Sequence, residues 1–268
     1  MADIQLSATQ TGGLKAIVLA GGKGTRLGSD GAGIPKAMRD LCGKPLLGYV
    51  LDALSFLAPE DIVIVVGYMK ENITGAFGGL NYSFAVQAEQ KGTGDAAKAA
   101  KSSLAGFDGD VIVCYGDMPL MRRETYVQLT EYHRSNNCDC TMLAGMPSKI
   151  VDLSAFGRLR INADGTFDRI VESRDLTPED KSAEDSGAVV PLFNSGVYVF
   201  KADRLFTALD DLQPANSQGE YYLTDAPAII AKQGGIVKTV AIDLDYQIQG
   251  VNTLDDLHSA ERYLQNAN

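Results

Sequence analysis

Four short runs rich in β-branched residues, KAIVLA from Lys15, IVIVVG from Ile62, YSFAVQ from Tyr82 and VIVCYG from Val111, alternate with segments whose apolar residues recur every three or four positions, at 45–57, 94–104 and 123–134. Strand and helix in alternation predict an α/β fold: a mostly parallel, Rossmann-like sheet flanked by helices, joined by right-handed crossovers, with ligands at the carboxyl ends of the strands. At the first such end stands the stretch LAGGKGTR, residues 19–26. Its glycines at 21, 22 and 24 let the backbone take positive φ and come close to a ligand, so that successive amide N–H groups face anionic oxygens. Lys23, Arg26 and Lys36 add full charge to those partial charges.

Between Lys15 and Lys44, six basic residues stand against Asp30 and Asp40, in a chain whose net charge is -10. Positive charge is gathered at one loop, which points to a small phosphate-bearing ligand. Nucleic acid or an anionic membrane would need a broad basic face, and neither is expected as a partner. No run approaches the roughly 18 to 20 apolar residues of a membrane span, and the start, MADIQLSATQTGG, lacks the layout of a secretion signal. A disordered tail over 1–13 and a cytoplasmic location are therefore expected. The cysteines at 42, 114, 138 and 140 form no CxxC pair and suit reduced thiols. Cys138 and Cys140 read as small buried residues on one strand face rather than as half a metal site.

Beyond residue 144 the pattern changes. GRLRINADGTFDRIVE from Gly157 places two alternating runs around 163–165, a hairpin that forms a small β-rich lobe inserted into the sheet domain. The polar stretch 173–190, with Pro178 and Gly187, reads as a loop. A strand at 196–200, helices at 202–209 and 221–232, a strand from 236 and a helix at 253–264 follow, with Thr253 as the N-cap of the last.

Three residue types carry chemistry. Asp117 should emerge at the end of a buried strand as a hard oxygen ligand suited to Mg²⁺, with Asn252 offering a second oxygen. The Gln87 side-chain amide can both donate and accept, and by rotating it can exchange the two. The glycine loop is neither GxxxxGK[ST] nor GxGxxG, and the acidic residue that a dinucleotide oxidoreductase needs about twenty positions on is missing.

QAEQKGTG from Gln87, YGDMPL from Tyr115, GEYYLTD from Gly219 and GVN from Gly250 follow the glycine loop in one order. Together they resemble the sugar-phosphate nucleotidyltransferases, most closely the uridyltransferase half of the bacterial N-acetylglucosamine-1-phosphate uridyltransferases, over about 14 to 264. The resemblance implies one nucleotidyltransferase domain over 14–268, with a nucleotide-binding part at 14–145, a sugar-binding part at 146–235 and closing elements at 236–268. It implies UMP transfer from UTP to a sugar 1-phosphate, N-acetylglucosamine 1-phosphate foremost, with Mg²⁺ and release of pyrophosphate. Arg26 would hold the β,γ-phosphates, Lys36 would bridge the phosphates of nucleotide and sugar, and Asp117 and Asn252 would bind the metal. Leu19, Ala20, Gly21, Gly22, Lys23, Gly24, Gln87, Gly92 and Thr93 would form the nucleotide site, and Tyr115, Gly157, Glu172, Asn194, Tyr222 and Thr224 the sugar site. By the same resemblance Gln87 would read uracil: its amide can donate to O4 and accept from N3–H, but by rotating it can serve cytosine as well.

The chain also departs from that pattern. It reads GGKGTRL where such relatives carry AGKGTRM, inserts SDGAGI between Arg26 and Lys36, and lengthens the stretch after Glu172 by SAEDSGAVVP. Hexapeptide repeats are missing, so acetyl transfer is not expected. Glucose 1-phosphate with UTP or dTTP remains open as an alternative. So does a noncatalytic sugar-nucleotide sensor, against which the retention of Arg26, Lys36, Asp117 and Asn252 speaks.

Overall fold

A computed structural model describes residues 13–24, 27, 33–146, 155–185, 191–243 and 246–267. In chain order these residues form β1 (Leu14–Leu19), β2 (Asp40–Leu41), β3 (Lys44–Pro45), α1 (Leu46–Ala53), β4 (Ile62–Val66), α2 (Lys70–Phe77), β5 (Ser83–Val86) and α3 (Thr93–Ala99). There follow β6 (Asp110–Tyr115), α4 (Arg123–Ser135), β7 (Cys140–Gly145), β8 (Arg158–Ile161), β9 (Phe167–Val171) and α5 (Pro178–Asp185). The last elements are β10 (Leu192–Lys201), α6 (Ala202–Asp211), α7 (Ala226–Lys232), β11 (Val237–Ile242) and α8 (Leu254–Ala267).

The main sheet runs β11-β7-β10-β6-β1-β4-β5. All its pairings are parallel except those of β10, which runs antiparallel to both β6 and β7. Central strands are covered on both faces, which explains why their sequences are continuous apolar runs rather than alternations. Every residue of β4 and β7 is buried. Successive side chains of one strand serve opposite faces. Ile17 and Leu19 pack in one cluster with Ala97, Leu205 and Ile230 beneath α3, α6 and α7, while Ala16 and Val18 pack with Leu47, Val50, Tyr126 and Leu129 beneath α1 and α4.

β8 and β9 form the expected hairpin around Ala163, Asp164 and Gly165, and β8 joins the main sheet through the start of β10. β2 and β3 form a second, separate two-stranded sheet that the sequence reading missed. Its turn, Cys42-Gly43, has positive φ at both residues (52° and 86°), the geometry that fits tight hairpins.

Two expectations need correction, and one helix was not expected. The stretch 173–190 is not only a loop, because α5 lies within it. Thr177 Oγ1 accepts from the Asp180 amide at 3.1 Å and the Asp180 carboxylate accepts from the Thr177 amide at 3.0 Å, a reciprocal cap with Pro178 at the first helical position. Helix α2 was overlooked because Ile73 is its one buried residue and no apolar stripe marks it. The helix expected at 221–232 begins only at Ala226, after a 3-10 turn at Leu223–Asp225. Thr253 does cap α8: it accepts from the Asp256 amide at 3.2 Å while the Asp256 carboxylate accepts from the Thr253 amide at 2.8 Å. The proposed tail lies outside the described residues up to position 12.

Candidate active site

From β1 the chain moves outward to β4 and β5, then returns past β1 to place β6 on its other side. That reversal opens a crevice above the carboxyl ends of β1 and β6, where open α/β sheets bind ligands. The Gly116 amide donates to the Leu19 carbonyl at 2.9 Å, so the turns leaving the two strands are tied together and Asp117 emerges beside the glycine turn.

Among the three glycines of that turn, φ is positive only at Gly24 (69°). Gly21 is needed for space instead: a Cβ there would stand 3.1 Å from Gln87 Oε1 and 3.4 Å from the Gly67 amide. The turn bounds a cavity of about 310 Å³ lined by Leu19, Ala20, Gly21, Gly22, Gly24, Lys36, Gln87, Gly92 and Thr93 among others. Lys23 is exposed and lines neither this cavity nor its neighbour, so the structure does not bring it to the site. Arg26 lies outside the described residues.

Gln87, at 6% exposure, leaves the end of β5 and turns its amide inward. Its Nε2 donates to the Gly92 carbonyl at 3.0 Å and to Asp95 Oδ2 at 2.8 Å. Both amide protons are thereby used within the protein. The expected donation to uracil O4 is not available in this arrangement, whereas Oε1 stays free to accept. The sequence reading did not include Asp95, although an acid in the first turn of the helix following the glycine pair was visible.

A second, larger cavity of about 1330 Å³ adjoins the first and is lined by Tyr115, Gly157, Glu172, Asn194, Tyr222 and Thr224, so all six sugar-site candidates come together. The register of β10 against β7 shifts between Asn194 and Tyr198. Asn194, opposite Ala144, is the last residue in register before this bulge and bridges it with its side chain, its Oδ1 accepting from the Gly196 amide at 3.2 Å and the Tyr198 hydroxyl at 3.0 Å. The Asn194 amide donates to the Gly157 carbonyl at 2.9 Å, linking the hairpin lobe to the sheet. Gly196 (φ 81°) leaves room for the Tyr115 ring, which a Cβ would meet at 2.4 Å.

Lys36 stands where the cavities meet. Its Nζ donates to Asp117 Oδ2 and, at 2.7 Å, to Asn252 Oδ1. The two residues expected to bind a metal therefore converge on one cation, here an ammonium. The Val251 amide donates to the Asp117 carbonyl at 2.9 Å and the Asp256 carboxylate accepts from the Asn252 amide at 2.9 Å, so α8 holds Asn252 in place. Among the described residues no three His, Cys, Asp or Glu side chains gather as a metal cage.

Burial holds the Glu172 carboxyl above its ordinary value of 4.5, a hydrogen bond with Thr224 opposes the rise, and the nearby Asp175 and Asp225 carboxylates add to it. An acid with a raised folded value contributes most to stability below its unfolded value and loses that contribution as pH rises through the folded one. Glu172→Gln is therefore expected to melt higher than wild type at pH 8. The gap should close as pH falls toward 4.5, read as paired melting curves against pH. A gap that widens on acidification would refute this environment for Glu172.

The MobA-like NTP transferase domain model matches residues 16–220. The bifunctional protein GlmU of Pelotomaculum thermopropionicum is 36% identical over 94% of this chain and 52% of its own length, and that of Gloeobacter violaceus is 39% identical over 94% and 51%. The chain thus spans about half the length of these curated relatives. In structure it is similar to UDP-glucose pyrophosphorylase complexed with UDP-glucose (TM-score 0.68, 21% identity, 95% of this chain and 99% of the other). It is similar also to the Bacillus anthracis protein assigned as a glucose-1-phosphate thymidylyltransferase (TM-score 0.70, 19% identity, 95% and 96%). At such identities these two likenesses speak to the fold, which is that of the nucleotide-sugar transferases.

Proposed function

Since this chain belongs to the MobA-like NTP transferase domain family and is a nucleotidyltransferase of the sugar-phosphate class, we propose that it transfers UMP from UTP to a sugar 1-phosphate, N-acetylglucosamine 1-phosphate foremost, and releases pyrophosphate. The observation that carries this reading is the junction of the two cavities. They share Thr93, Tyr115, Asp117 and Asn252, so the phosphates of a nucleotide in one and a sugar phosphate in the other meet beside Lys36.

In this reading an oxygen of the sugar phosphate attacks the α-phosphorus of UTP in line, and the bond to the β-phosphate breaks as pyrophosphate leaves. A phosphomonoester is already a nucleophile at neutral pH, so no protein base is required. What remains is positioning and neutralisation of charge. Lys36 bridges the phosphates of the two reactants, the amides of the glycine turn and Arg26 hold the departing phosphates, and Gln87 and Gly92 hold the base. Glu172, Asn194, Gly157, Thr224 and Tyr222 orient the sugar, with Tyr115 as the floor between the cavities. Asp117 and Asn252 would hold Mg²⁺; two hard oxygens fit an ion that completes its shell with waters and phosphate oxygens. When bound, the ion would supply further neutralisation of phosphate charge.

The reading is tested by pyrophosphate release from a matrix of UTP, dTTP and CTP against N-acetylglucosamine 1-phosphate and glucose 1-phosphate. The expected result is turnover with UTP and the amino sugar, abolished by chelation of divalent ions and restored by Mg²⁺. Exclusive use of glucose 1-phosphate would overturn the amino-sugar assignment, and tight UDP-sugar binding without pyrophosphate release from any pair would overturn catalysis.

A further inference from the structure

A carboxamide reads a pyrimidine edge according to which of its two ends faces the base. Uracil and thymine present an N3–H donor where cytosine presents a bare N3 acceptor, so a side chain free to rotate serves either and discriminates neither. In this chain the amide is not free to rotate. The Gly92 carbonyl, which also accepts from the Ala96 amide at 3.1 Å, can only accept, and so can the Asp95 carboxylate. Both flank the same end of Gln87, at 3.0 and 2.8 Å. Turning the amide over would set Oε1 against two acceptor oxygens and forfeit a hydrogen bond to a charged group, the strong kind. The Gln87 amide donates to the Val66 carbonyl at 2.8 Å, which fixes the backbone below the side chain.

We propose that Asp95 is a positioning residue for base selection: it holds the Gln87 carboxamide with Oε1 toward the cavity, so that the site accepts the N3–H edge of uracil or thymine and repels the N3 lone pair of cytosine. The inference rests on the reading of the smaller cavity as a pyrimidine nucleotide site. Asp95 need not touch the base. It acts through Gln87, from the first turn of α3, and leaves uracil and thymine indistinguishable at this edge.

Equilibrium binding of UTP, dTTP and CTP with Mg²⁺, measured calorimetrically on the full chain without sugar phosphate, tests it independently of turnover. Wild type is expected to bind UTP and dTTP alike and CTP at least about tenfold more weakly, the factor that about 1.4 kcal/mol represents. In Asp95→Asn the new side chain both donates and accepts, so the Gln87 amide regains its second orientation. CTP binding should then strengthen until the ratio falls to about threefold or less, with UTP changed by a smaller factor. Asp95→Ala, which removes the acceptor without adding a donor, should give an intermediate ratio and carries the comparison if the asparagine variant folds poorly. A helix-stabilising role alone would weaken all three nucleotides together and leave the ratio unchanged, and that result overturns the proposal, as does a wild type that binds CTP as well as UTP. No binding of any nucleotide would overturn the proposed function along with it. An unchanged ratio with pyrophosphate release intact would overturn the positioning role alone.

Discussion

Lys36→Ala is expected to lower turnover roughly a thousandfold, the loss of about 4 kcal/mol of transition-state stabilisation that removal of a preorganised charge brings. The reason lies in its placement. The side chain is 14% exposed and its ammonium is held between Asp117 and Asn252 at the boundary of the two cavities. There, under the proposed function, it would face phosphate charge with little solvent to screen it. Folding should suffer far less. Asp117 is 21% exposed, so water can take up the lost hydrogen bond, and the melting temperature should drop by no more than the 2 to 4 °C that about 1 kcal/mol represents in a chain of this size. Steady-state pyrophosphate release and a melting curve on the same preparation separate the two effects. Wild-type turnover in the variant would remove Lys36 from the mechanism.

Gly92→Ala should produce the largest loss of stability together with loss of nucleotide binding. Gly92 has φ 114° and ψ 175°, a region essentially closed to residues with a Cβ. An added Cβ would stand 2.4 Å from the Tyr221 carbonyl oxygen and 2.9 Å from its amide nitrogen, backbone atoms that cannot rotate away. That backbone is tied on both sides, with the Tyr221 amide donating to Lys91 and the Gly94 amide donating to Tyr221, each at 2.8 Å. Strain and clash together should cost on the order of 3 to 5 kcal/mol, about 10 °C in melting temperature. Because Gly92 also holds the Gln87 amide, UTP binding should fall with it. Gly75→Ala in α2, where a Cβ meets nothing within 4 Å, is the control: it should be neutral or stabilising by up to about 1 kcal/mol. Equal melting temperatures for the two variants would contradict the tight docking of 91–94 on Tyr221.

Much of this could be read in advance because the relevant physics is local. β4 is buried on both faces, and such burial demands the uninterrupted apolar run by which it was recognised. The hairpin of β8 and β9 declared itself by alternation around an Asp-Gly turn, and α8 by Thr253 at its start. Where the local signal is weak the reading failed. α2 carries one buried side chain, and the capping signal at Thr177 to Asp180 was passed over within a polar stretch. The bulge that follows Asn194 depends on pairing with β7, more than forty residues earlier in the chain, and left no mark that a window of sequence could show.

What the amino-acid sequence by itself determined is which segments become strands and helices, and that cationic and glycine-rich residues gather at the end of the first strand, because periodicity, capping and backbone freedom act over a few neighbouring residues. Only the tertiary structure decided which charges meet. Lys36 faces Asp117 and Asn252 across separations of 81 and 216 residues, because the chain reverses direction around β1 and α8 returns over the same strand ends. The folded chain likewise decided which end of the Gln87 amide meets Gly92 and Asp95, a hydrogen-bonding outcome rather than a property of glutamine.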